Sequence, residues 1–175
     1  MPVDMKEIIG EQTLKLLFEK KVRKLTVKDI VEACHITRQA FYYHFSDIPE
    51  LLGWLIELKG RELLEECRKA EDMEGQLRRF LVIAVNARPL LKTGLESNYG
   101  PELERLLRQQ MEDVFYQTAA RHGAMKDGGD YEQRLAIRYH CQAILGLLRE
   151  WSEEDTREID TAAHTIMHMI ASAAD

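Results

Sequence analysis

Proline occurs four times and glycine ten times in these 175 residues, so turn-making residues are scarce and helices are favoured throughout. No strand pattern, internal repeat or low-complexity tract is visible. The three cysteines, Cys34, Cys67 and Cys141, are odd in number, far apart and never form a CxxC pair. Neither a disulfide framework nor a zinc ribbon is indicated, and buried reduced thiols are the expectation. No glycine-rich phosphate loop occurs, and serine is too rare and poorly placed for a nucleophile elbow. His164 and His168 are four apart on an expected helix, but no acid stands between them and no third ligand accompanies them. They read as a packed or interfacial pair. No catalytic residue, metal ligand or cofactor is therefore assigned, and the chain is not expected to be an enzyme. No apolar run approaches the roughly 20 residues that cross a bilayer. The N-terminus, MPVDMKEII, lacks the basic-then-apolar layout of a signal peptide. A cytoplasmic protein without a membrane partner is the expectation.

What is present is an apolar fraction of 45%, enough for a packed core in one or two small domains, and an uneven charge. The net charge is −6, yet residues 1–53 hold eight basic and eight acidic side chains, so the whole excess of acid lies beyond them. From Lys20 to Phe45 six basic residues (Lys20, Lys21, Arg23, Lys24, Lys28 and Arg38) face only Asp29 and Glu32. A basic patch on an acidic protein binds phosphates locally while the remaining charge limits nonspecific association.

That patch surrounds the most informative stretch of the chain, TVKDIVEACHITRQAFYYHF, from Thr26 to Phe45. Thr26 and Asp29 form a capping-box pair at the start of one helix. Ile30, Val31 and Ala33 make its inner side, and Cys34-His35-Ile36 the turn. Thr37 caps a second helix from Arg38 to about Tyr43, with Ala40, Phe41 and Phe45 facing inward. Arg38, Gln39 and Tyr42 are left outward. An Arg-Gln pair in the first turn of a helix suits a major groove, because Arg reads guanine and Gln adenine bidentately.

This segment resembles the DNA-binding domain of TetR-family transcriptional regulators. The matching residues are Thr26-Val27, Ile30, Ala33, Ile36-Thr37, Phe41-Tyr42, His44-Phe45 and Leu51-Leu52. The run from Arg38 to Phe45 with Trp54 is similar to the subgroup associated with dihydroxyacetone kinase operons. The resemblance implies phosphate contacts from Thr37, Tyr42, Tyr43 and His44, base contacts from Arg38 and Gln39, and further phosphate contacts from Lys24 and Lys28. Three positions depart from the family pattern. His35 and Lys21 stand where glycine is usual, and Ile48 stands where a lysine at the start of helix four commonly touches a phosphate.

Along the rest of the chain, helix one is expected from about Asp4 to Lys20, with Ile9, Thr13, Leu16 and Leu17 on its inner face. Helix four begins near Asp47 and runs toward Lys69, joining the DNA-binding part rigidly to the helices beyond it. Helix five is expected over about Asp72 to Arg88, ended or kinked by Pro89, with Lys92 to Gly100 as the least regular stretch. Helix six is read from Pro101 to about His122, a loop over Gly123 to Gly129, helix seven from Asp130 to about Glu150, and a last helix after Asp155. Two apolar stripes mark the final helices. Tyr139, Ala143, Gly146, Leu147 and Trp151 form one; Ile159, Ala163, Ile166, Ile170 and Ala173 form the other, at the alternating steps of a bundle seam. The resemblance places a four-helix dimer interface there; burial within the chain is the other reading. It also implies a small-molecule effector held in the helical domain, for which Trp54, Asn86, Arg88, Tyr99, Arg138 and His140 are the candidate lining.

The expectation is thus an all-α, TetR-like protein: a three-helix helix-turn-helix domain over residues 1–47 and a helical-bundle effector-binding and dimerisation domain over 48–175. It implies a homodimeric, ligand-responsive repressor on a double-stranded DNA operator. The alternative, kept open by His35, Lys21 and Ile48, is a protein of the same fold that no longer binds DNA and acts as a protein- or metabolite-binding coregulator.

Overall fold

The computed structural model describes residues 4–121 and 130–172, and among these every regular element is a helix. They are α1 (Met5–Leu14), α2 (Val27–Cys34), α3 (Arg38–His44), α4 (Ile48–Cys67), α5 (Met73–Leu95), α6 (Gly100–Arg121), α7 (Asp130–Glu150), α8 (Glu153–Arg157) and α9 (Ile159–Ser172). One π-helical turn, Lys15–Glu19, extends α1. The residues gather in two compact units. One holds the chain up to Leu58 together with Arg88–Leu107; the other holds Lys59–Ala87 and the chain from Arg108 onward. The expected loop over Gly123 to Gly129, and Ala173, lie outside the described residues.

The first unit is built around the helix-turn-helix. Ile9, Leu16 and Leu17 from the first helix meet Ile30 and Val31 of α2, Phe41 and Phe45, and Ile48, Leu51, Leu52 and Leu55 of α4 in one cluster. Fully burying such a side chain contributes about 1.5–3 kcal/mol, so this cluster dominates the unit's stability. Thr13 is also fully buried, and its hydroxyl donates to the Ile9 carbonyl at 2.8 Å, which satisfies the polar group. Gly10 permits the close crossing of α1 and α4: a Cβ there would lie 2.8 Å from Leu55 and 2.9 Å from Trp54. Because α4 closes this core from its first turn, and Leu103 of α6 joins it, the packing unit extends past residue 47.

Among the described residues other than glycine, two hold left-handed backbone, Lys21 at φ 52° and His35 at φ 55°. Each follows a helical end whose carbonyls are closed by reaching bonds: Val22 N–H to Leu16 O at 3.1 Å, and Ile36 N–H to Val31 O at 3.0 Å. A side chain in this conformation is strained relative to glycine, and the bonds hold it there.

The second unit clusters Cys67 at the end of α4, Leu77, Phe80 and Leu81 of α5, Met111 of α6, Cys141 and Ile144 of α7, Trp151, and Ala163 and Ile166 of α9. Phe80 and Phe115 meet edge-to-face at 5.7 Å. Burial pushes the Cys67 thiol up to about 11 and the Cys141 thiol up to about 12, so both stay protonated and pack as small apolar groups. The Arg78–Asp160 ion pair and a contact of 3.0 Å between His164 Nδ1 and Glu74 tie α5 to α9.

Two expectations about the elements need correction. Pro89 does not end α5, which continues to Leu95. A proline inside a helix removes one hydrogen bond and costs about 3 kcal/mol. Packing on either side offsets it, with Phe80 and Leu81 buried before the proline and Gly94 set against Phe18 and Leu103 after it. Half of the stretch from Lys92 to Gly100 is accordingly helical. The last helix, α9, starts at Ile159, after Asp155 as expected, and a short helix precedes it: Ser152 and Asp155 form a capping box that opens α8, and Trp151 Nε1 donates to Thr156 there at 3.1 Å. Finally, the stripe of α9 is covered within the chain. Ala163 is 1% and Ile166 8% exposed, Ile159 and Ile170 pack against the same cluster, and Trp151 is buried too. A periodic apolar face has to be covered, and here α9 is covered by its own chain.

Candidate nucleic-acid interface

The interface is set by two capped helices. At α2 the Thr26 N–H donates to Asp29 Oδ2 at 2.9 Å, and the Asp29 N–H donates to Thr26 Oγ1 at 3.2 Å. At α3 the Thr37 hydroxyl accepts from the Ala40 N–H at 3.1 Å. Each cap satisfies an amide that the first helical turn would leave unpaired. α3 is oriented by Phe41, which is fully buried and lies edge-on to Tyr42 at 5.4 Å. With Phe41 pinned inward, its neighbours must point outward. Arg38 and Gln39 are exposed, Tyr42 is 55% and Tyr43 85% exposed, and His44 is half-buried beside the Tyr43 ring. A tyrosine so exposed contributes nothing to the core, and its hydroxyl is free to meet a phosphate.

The basic residues lie on the same unit. Lys24 and Lys28 are exposed; Lys28 sits 3.7 Å from Glu32 in a solvated pair, worth little to stability and readily exchanged for another anion. Lys24, Thr26, Tyr42, Ser46, Asp47, Ile48, Asn98 and Tyr99 line a surface groove of about 350 Å³. The structure thus brings Lys24 and Tyr42 to one concavity. Burial, and then the nearby Asp47 charge, raise the Tyr99 hydroxyl above its ordinary value, so it stays a neutral donor.

Ile48 does not take the place of a phosphate-facing lysine. It is 3% exposed and belongs to the core cluster. The start of α4 is closed instead by its own acids: Asp47 accepts from the Glu50 N–H at 2.8 Å, and Glu50 accepts from the Ser46 N–H at 2.6 Å. The bond from Ser46 holds the Glu50 carboxyl below its ordinary range.

The candidate effector residues are divided between the two units, three in each. Trp54 and Tyr99 pack against the first core, Trp54 with its ring 5.7 Å from that of Phe45. Arg88 is in the first unit as well. Asn86 and Arg138 are exposed in the second, where His140 is half-buried, its pKa lowered by that burial. Of the α7 stripe, Tyr139, Ala143, Gly146 and Leu147 remain exposed, and a Cβ on Gly146 would meet nothing within 4 Å. Sequence reasoning misses Leu135, 45% exposed, and Met169, 62% exposed, which add to the uncovered apolar surface. Leu135 is legible four residues before Tyr139 on the same face; Met169 is hidden because the periodic stripe on α9 lies one face away. Asn98 escapes too, since nothing local marks an asparagine in a turn as a clamp. Among the described residues no group of three His, Cys, Asp or Glu is placed to hold a metal ion, and no helix is long and apolar enough to cross a membrane.

Residues 9–53 match the family model described as bacterial regulatory proteins, tetR family. Among curated proteins no sequence matches the chain. Solved structures share the fold over nearly the whole length. The dihydroxyacetone kinase operon activator DhaS aligns with a TM-score of 0.62 at 20% identity, over 97% of this chain and 95% of its own. The TetR family repressor AlkX from a Dietzia strain gives 0.59 at 15% identity, over 98% of both chains. The regulator FadR from Bacillus subtilis, in complex with stearoyl-CoA, gives 0.53 at 13% identity, over 94% of this chain and 96% of its own. At these identities the likeness shows the fold, which is TetR-like.

Proposed function

We propose that this chain, a DNA-binding transcriptional regulator by its TetR-family domain at residues 9–53, is a ligand-responsive repressor that acts as a homodimer on a two-fold operator. The observation that carries the reading is α3. Phe41 is fully buried while Arg38, Gln39, Tyr42 and Tyr43 project from a capped helix into solvent. Arg38 and Gln39 are assigned to base edges, and Thr37, Tyr42, Tyr43, His44, Lys24 and Lys28 to phosphates. Functionally, residues 1–47 carry DNA contact and residues 48–175 effector binding and dimerisation.

One recognition helix reads only a half-site, so dimerisation is part of the proposal. Its surface is the exposed apolar face of α7, with Leu135, Tyr139, Ala143, Gly146 and Leu147. An effector is proposed by analogy with the ligand-bound FadR neighbour, and Asn86, Arg138 and His140 are its candidate polar anchors in the second unit. The test is a mobility shift with the DNA upstream of the protein's own gene, at low and high salt. A retarded complex that salt dissolves supports the reading; no complex at low salt favours a coregulator that does not touch DNA.

A further inference from the structure

Lys24 is bracketed by a clamp that comes from far along the chain. Leu25 is buried, but the backbone from Lys21 to Thr26 has no helix or strand of its own to satisfy it. Asn98, in the turn between α5 and α6, supplies the partners. Its Oδ1 accepts from the Leu25 N–H at 2.9 Å and its Nδ2 donates to the Leu25 carbonyl at 3.3 Å. Its own backbone N–H donates to the Arg23 carbonyl at 2.8 Å. The residues on both sides of Lys24 are therefore held by one asparagine, whose amide meets both polar groups of Leu25 as a neighbouring strand would.

The turn that presents Asn98 is itself tightly built. Ser97 N–H donates to Gly94 O and Gly100 N–H to Ser97 O, each at 3.0 Å. A Cβ on Gly100 would lie 2.0 Å from the Leu95 carbonyl oxygen, so only glycine permits this closure. A Cβ on Gly94 would lie 2.9 Å from the Phe18 ring, which seats the turn against the end of the first helix. Lys24, Tyr42 and Asn98 line the same groove.

We infer that Asn98 is a positioning residue for DNA binding, which fixes the Arg23–Leu25 backbone so that the Lys24 ammonium stays on the phosphate-facing groove beside Tyr42. The inference rests on the DNA-binding reading. Asn98 itself touches no DNA; it acts through Lys24 and through the position of Thr26, the residue that caps α2. Removing it leaves Lys24 charged and exposed but lets its backbone wander, so the loss falls on phosphate neutralisation and not on base preference.

The experiment titrates full-length protein against a fluorescent random-sequence duplex between roughly 50 and 200 mM salt and reads affinity and its salt slope by anisotropy. Asn98→Ala removes both bonds to Leu25. Asn98→Ser is neutral and too short to reach both groups of Leu25, and it carries the test where the alanine variant does not fold. Folded variants are expected to bind roughly three- to tenfold more weakly than wild type, with a slope shallower by about 0.9 for each phosphate no longer neutralised. Partial unfolding alone would reduce the active fraction and leave the slope unchanged. Wild-type binding with the same slope in both variants overturns the clamp and leaves the DNA-binding reading standing. A wild type that does not bind at low salt overturns that reading itself.

Discussion

Lys21 and His35 share one backbone conformation, φ 52° and 55°, and each terminates a helix of the helix-turn-helix unit. Both stand where the TetR-like pattern has glycine, and the structure keeps the turn geometry although the residue has changed. A left-handed non-glycine residue carries about 1–2 kcal/mol of strain, and glycine gives back roughly half of that through its greater freedom when unfolded. Lys21→Gly and His35→Gly should each stabilise the protein by about 0.5–1 kcal/mol, read as a higher urea midpoint at unchanged slope. A lower midpoint in both would mean that the side chains make contacts outweighing the strain.

Ile48→Lys tests the packing at the start of α4. Ile48 is 3% exposed, so the ammonium must either enter the core or displace the first turn. A loss of about 2–4 kcal/mol in chemical denaturation is expected. Stability equal to wild type, with tighter binding to all DNA, would show that the lysine reaches the backbone of the duplex after all.

The two apolar stripes should separate assembly from folding. Gly146→Glu and Leu147→Glu alter positions that are exposed in the chain, so they should yield folded monomers in sedimentation. Ile166→Glu places a charge at a site 8% exposed and should lower the melting temperature sharply whatever the oligomeric state. Wild type that sediments as a monomer at micromolar concentration would remove the dimer from the proposal.

Acid should loosen the caps. The carboxyls of Glu50 and Asp155 are held below their ordinary ranges, first by backbone N–H bonds from Ser46 and Ser152 and then by their side chains. With the folded value depressed, the unfolded chain binds more protons in that window. Their stabilisation is complete above the ordinary carboxylate range and is lost as pH falls through the depressed value. Glu50→Gln and Asp155→Asn should flatten stability against pH on the acid side, as followed by thermal melts; an unchanged profile would mean that these bonds persist in the unfolded state or do not form.

The helix-turn-helix is legible in the sequence because its signals are local. Thr26 with Asp29, and Thr37 before Arg38, are caps within a few residues of the amides they satisfy, and Phe41 and Phe45 repeat at helical spacing. Ile9, Thr13, Leu16 and Leu17 read as one buried face for the same reason. The features that escape depend on distant partners. Pro89 is tolerated because of packing on both sides of it. Ala163 and Ile166 carry the right period for a seam, but period does not say which chain covers them. Asn98 meets Leu25 across 73 positions of sequence, and no local pattern encodes that.

The central claim is that α3 reads bases through Arg38 and Gln39, and the most direct measurement is selection of bound sequences from a randomised duplex pool by wild type and by Gln39→Ala. Wild type is predicted to enrich a two-fold symmetric site. Gln39→Ala should lose preference at one or two symmetry-related positions per half-site, worth about 1–3 kcal/mol each, while the other positions keep theirs. Enrichment of no sequence by wild type, or a Gln39→Ala profile identical to that of wild type, would contradict it.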